Sequence, residues 1–111
     1  MAIWNKILIL ILLTGCTQSI DQINRSVNSV PYVDWHFTSA EEFYRYGGKC
    51  EGYVFTKQHE LEKAGYGRGD YQLVKYKGQM HIVLIYKDYV LDNLTNELMP
   101  LSYLQTFDEI I

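Results

Sequence analysis

An unbroken apolar run at residues 7–13, Ile-Leu-Ile-Leu-Ile-Leu-Leu, follows a single cation, Lys6, and stops at Thr14-Gly15-Cys16. A run this short does not cross a bilayer core of roughly 30 Å, which takes about 20 apolar residues in a helix, so a transmembrane anchor is the weaker reading. A charged start, an apolar stretch and a small-residue end are the parts of an export signal. Taking residues 1–15 as that signal and 16–30 as a tether leaves residues 31–111 to fold. At about 80 residues a single core is only marginally stable, which leaves room for one small domain.

Leu13-Thr14-Gly15-Cys16 resembles the lipobox of bacterial lipoproteins. The resemblance implies lipid on the Cys16 sulfur and anchorage to a membrane. In a Gram-negative cell, Thr17 after the cysteine implies the outer membrane facing the periplasm. The alternative is an ordinary secretory signal with an incidental cysteine. Residues 17–30 are polar with isolated aliphatics and read as a tether. Ile20, Ile23 and Val27 stand at helical spacing, so a short docking helix is the other reading. The full chain has a formal net charge of −3 and an isoelectric point near 5.5, and losing Lys6 makes the remainder more acidic. Without a basic excess, a nucleic-acid partner is not expected. Hydrophobic residues at 48% and aromatics at 14% argue against disorder.

The globular part reads as α+β. Thr38-Ser39-Ala40-Glu41 has the capping-box pattern, with Thr38 as N-cap of a short helix to about Tyr46, stopped by Gly47-Gly48. A principal helix is expected over residues 50–64, with Gly65 as its C-terminal stop. Glycines 65, 67 and 69 mark a loop. Residues 71–76, 80–86 and 89–93 read as strands, with Lys77-Gly78 and Lys87-Asp88 as two-residue turns. A turn of helix is expected near residues 101–104. The expected architecture is a helix carrying Cys50 at its start, packed on an antiparallel meander of three or more strands.

If Cys16 carries lipid, Cys50 has no partner for an intramolecular disulfide in a compartment where disulfides form. A buried, inert thiol is one reading. Its surroundings suggest another. Cys50 follows Gly47-Gly48-Lys49 at a helix N-terminus, where unpaired N–H groups and the macrodipole favour a thiolate and could also serve an oxyanion. Such a nucleophile needs a base and a group to orient that base. With Lys87-Asp88 as the turn, Tyr86 pairs with Tyr89 and Leu84 with Leu91, so His81 and Asp92 become diagonal neighbours on one face. Diagonal Cβ atoms are about 7 Å apart, within reach of an imidazole–carboxylate hydrogen bond. If that face packs over the start of the Cys50 helix, a Cys-His-Asp constellation results. The alternative is two ordinary strand residues. His36 also competes as a base, whereas His59, nine residues along the helix at about 1.5 Å per residue, is too distant. The scattered cysteines and histidines show no zinc spacing.

Gly48-Lys49-Cys50-Glu51-Gly52-Tyr53, Lys57, His81-Ile82-Val83-Leu84 and Val90-Leu91-Asp92-Asn93-Leu94, between Trp35 and Pro100, resemble the bacterial transglutaminase-like cysteine peptidases. That family includes periplasmic proteases that clip surface adhesins. The resemblance implies a minimal papain-like, transglutaminase-like core, with Cys50 as nucleophile, His81 as general base and Asp92 as the orienting residue. It also implies a protein or peptide substrate in the cell envelope. The family's Asp-Cys-Glu-Asp motif is here Lys49-Cys50-Glu51-Gly52. Two carboxylates are missing, and Glu51 alone is a weak candidate for calcium, which takes six or more oxygens. No cofactor is therefore expected. The expected function is that of a lipid-anchored thiol hydrolase of peptide or amide bonds. The alternatives are a transglutaminase-like acyl transferase and a catalytically weak module that binds an envelope protein.

Overall fold

The computed structural model describes residues 18–35 and 39–111. The expected export signal at 1–15, Cys16, Thr17, His36 and Thr38 lie outside the described residues.

Residues 16–30 were expected as a tether, but Ile20–Asn28 form a helix, α1. The signal is a capping box: Ser19 Oγ accepts from Gln22 N at 3.1 Å, and Ser19 N donates to Gln22 Oε1 at 2.9 Å. Ile23 and Val27 are fully buried, so the docking-helix reading describes this stretch. The next helix, α2 (Ala40–Tyr46), is capped by Ser39, one residue later than expected. Ser39 Oγ accepts from Glu42 N at 3.2 Å. Both Thr38 and Ser39 have a glutamate three residues on, so local sequence does not separate the two frames. The later frame buries Phe43, whose ring meets Tyr53 edge-on at 4.8 Å.

Helix α3 runs Cys50–Lys63, with Gly65 at φ 89° just beyond its end. It packs against α1, α2 and the sheet, and consequently Gly52, Tyr53, Val54, Thr56, Lys57, Gln58 and Leu61 are all buried. Of the buried polar groups, Gln58 has a clear structural task. Its Oε1 accepts from Gly69 N at 2.8 Å and fastens the glycine loop to the helix.

The strands are β1 (Asp70–Tyr76), β2 (Gln79–Tyr86), β3 (Tyr89–Leu91), β4 (Met99–Pro100) and β5 (Glu109–Ile110), with a 3-10 turn at Leu101–Thr106. They form one antiparallel sheet in the order β4-β3-β2-β1-β5. Leu84 pairs with Leu91, Ile85 with Val90 and Tyr86 with Tyr89, the expected register. Residues alternate between two cores. Leu84, Tyr86 and Leu91 join Ile23, Val27, Phe43, Val54 and Leu61 on the helix side. Val74, Val83 and Val90 join Leu104 and Phe107 on the other. Burial on both faces explains the continuous apolar run of β2.

One backbone approach holds the start of α3 in place. Gly47 ends α2 at φ 84°, donating its N–H to Phe43 O at 2.8 Å, and a Cβ there would stand 2.4 Å from Pro31 O. Beside it, Val33 N donates to Gly48 O at 3.0 Å, and Tyr32 bridges Gly48 in parallel. Gly47→Ala meets both a left-handed backbone and a backbone clash. It is expected to cost about 2 kcal/mol or more, a drop on the order of 10 °C in thermal midpoint by calorimetry. An unchanged midpoint would show that the 31–35 segment yields freely.

Candidate active site

Cys50 is the first residue of α3. Its N-cap, Lys49, is extended and makes no side-chain cap hydrogen bond, so no Lys49 side-chain acceptor occupies the first-turn N–H groups beside the sulfur. The Lys49 ammonium pairs instead with Asp34 Oδ1 at 2.7 Å. Cys50 is half-buried, with its sulfur 3.6 Å from Glu51 Oε2. It lines one cleft with Tyr32, Tyr76, Gln79, Met80, His81, Asn93 and Leu94. A second opening is bordered by Cys50, Glu51, Leu73, Met80, His81 and Ile82.

His81 enters from β2 and Asp92 from the residue after β3. His81 Nε2 lies 2.7 Å from Asp92 Oδ1, and both residues are buried. This is the diagonal pair expected from the two-residue turn. The face shared by His81, Val83 and Ile85 lies away from the body of α3. The imidazole is 5.8 Å from the Phe107 ring and 6.1 Å from Tyr76. His81 nonetheless lines both openings beside Cys50, because it stands near the start of β2.

Asp92 Oδ2 accepts from Tyr103 Oη at 2.7 Å, and Oδ1 accepts a second time, from Leu94 N at 3.3 Å. Burial opposes charge on this carboxyl, but its bonds to His81 and Tyr103 and the His81 charge outweigh burial and lower its pKa. Burial likewise opposes charge on His81. The bond to Asp92, the neighbouring Cys50 sulfur and the charges of both overcome it and raise the imidazole to about 9. With Nε2 committed to Asp92, Nδ1 is the nitrogen available to the thiol.

Tyr103 was not anticipated. It sits in the 3-10 turn, and no spacing pattern links it to Asp92 from sequence. Of the competing bases, His59 is exposed on α3, and His36 lies outside the described residues. Among the described residues no group of three His, Cys, Asp or Glu side chains is placed to hold a metal ion, and no helix is long and apolar enough to cross a membrane.

A family model, the bacterial transglutaminase-like cysteine proteinases, matches residues 10–106. No curated protein matches the sequence. Among solved structures, Legionella pneumophila LapG is similar at 19% identity and a TM-score of 0.73, over 90% of this chain and 68% of that one. The calcium-bound form of LapG is similar at 20% identity and a TM-score of 0.71, over 88% of this chain and 67% of that one. Identities this low show a shared fold, and this chain spans about two thirds of the LapG chains' length. With nearly the whole chain matched by the family model, it belongs to the bacterial transglutaminase-like cysteine proteinases.

Proposed function

We propose that this member is a cell-envelope cysteine peptidase, tethered by lipid on Cys16, with Cys50 as nucleophile, His81 as general base and Asp92 as the group that orients His81. The observation that carries the reading is the buried 2.7 Å His81–Asp92 bond beside a cysteine at a helix start. His81 Nδ1 takes the Cys50 proton, and the thiolate attacks the scissile carbonyl. The first N–H groups of α3, which Cys50 begins, donate to the oxyanion. The tetrahedral intermediate collapses as the imidazolium protonates the leaving amine, giving a thioester. Water, deprotonated by His81, then releases the acid and restores the thiol. Asp92 keeps the imidazole in one tautomer throughout.

Iodoacetamide tests the reading without knowledge of the substrate. At pH 7 Cys50 is expected to react at least about tenfold faster than glutathione, and His81→Ala is expected to remove the advantage. A rate equal to that of glutathione, indifferent to His81, would instead favour a binding module. Because Lys49 and Gly52 stand where the first and third acids of the family motif would be, the rate should be the same in EGTA as in calcium. A rate that EGTA abolishes and calcium restores would overturn that part. An added amine separates hydrolysis from acyl transfer by the product formed.

A further inference from the structure

Lys57 lies two turns beyond Cys50 on α3. It is fully buried, and its Nζ has no hydrogen-bond partner among the described residues. An isolated buried ammonium costs several kcal/mol, so a lysine retained in such a place is expected to find acceptors. Burial pushes it down to about 7, and the negative charge of Asp92 works against that shift. Three buried amide oxygens are also without donors among the described residues: Asn24 Oδ1, Asn28 Oδ1 and Asn93 Oδ1.

These amides surround the loop that carries Asp92. Asn28 Nδ2 donates to Asp92 O and to Thr95 O, each at 2.9 Å. Asn24 Nδ2 donates to Asn96 O at 2.9 Å. Asn93 is the residue after Asp92, and α1 packs along α3. Helix α3 carries Lys57 and helix α1, packed on it, carries Asn24 and Asn28, so one orphaned group with three N–H donors and orphaned oxygens lie on neighbouring elements, and buried polar groups are normally satisfied, directly or through shared water.

We propose that Lys57 is a positioning residue of the site: its ammonium takes the amide oxygens of Asn24, Asn28 and Asn93, ties α1 to α3 and the 92–96 loop, and so holds Asp92 where His81 needs it. The role in catalysis rests on the Cys50–His81–Asp92 reading, and the tethering itself does not.

Two variants and one wild-type signal test this. Lys57→Met removes the donors at similar volume, and Lys57→Gln keeps an N–H₂ group without the charge. Below their melting temperatures, Lys57→Met should slow Cys50 alkylation by iodoacetamide about tenfold or more, with Lys57→Gln within about threefold of wild type. The NMR signal of the His81 Nε2 proton, sharp in wild type, should broaden or shift in Lys57→Met. A merely structural lysine would lower stability and leave that signal unmoved. If neither variant folds, the wild-type Lys57 ammonium protons still decide. Slow exchange with solvent supports the proposal, and exchange as fast as that of surface lysines overturns it. If wild-type Cys50 reacts no faster than glutathione, the peptidase reading fails, while the His81 and Lys57 proton signals still test the tether.

Discussion

Cys50→Ala is expected to abolish hydrolysis of a fluorogenic peptide library, by at least about 10⁴-fold, while moving the thermal midpoint by no more than a few degrees. The two halves of this result rest on different observations. Cys50 is half-buried at the rim of its cleft, so deleting one sulfur opens no sealed cavity. The chemistry has no substitute nucleophile in its pathway: Glu51 lies beside the sulfur, and Tyr32 and Tyr76 share the cleft, but none can carry the thioester that splits the reaction into two easier steps. Residual turnover near the wild-type rate would mean that the thiol is a bystander.

Asp92→Asn should be costly twice over. The carboxylate accepts from His81, Tyr103 and Leu94, and it is almost fully buried. An amide has one acceptor oxygen. Facing His81, its N–H₂ group opposes the Nε2 proton. Turned the other way, it leaves the Tyr103 hydroxyl without its carboxylate acceptor. Removing the charge should destabilise the fold by about 2–4 kcal/mol, because a buried network loses its common acceptor. Cleavage should fall by about 10³-fold or more, since the imidazole loses both its orientation and the charge that favours its protonated form. Chemical denaturation reads the first effect and peptide cleavage the second. A variant of wild-type stability would show that these bonds form without net gain.

Where the sequence speaks locally, the fold follows it. Lys87-Asp88 is a two-residue turn, and counting outward from it puts His81 and Asp92 on one face of the hairpin, where they bond. Gly47-Gly48 before Cys50 likewise marks a helix start. What stayed hidden depends on pairings distant in sequence. Val74 opposes Ile110 in the sheet, and no local pattern announces that β5 closes the edge beside β1. Tyr103 reaches Asp92 only because the 3-10 turn folds back across β3. Lys57 stands among the residues that carry the family resemblance, but its complete burial has no local sequence signal. The helical reading of residues 20–28 is decided by Ser19 and Gln22, a capping box inside a stretch whose polar composition reads as a tether.

Cys50, His81 and Asp92 are proposed to act as one unit. NMR titration of the His81 ring tests this directly, in wild type and in Asp92→Asn. The imidazole is expected to stay protonated up to about 9 in wild type and to fall well below that value when Asp92 loses its charge. An imidazole that titrates near its ordinary value of about 6.5 in both proteins would contradict the account.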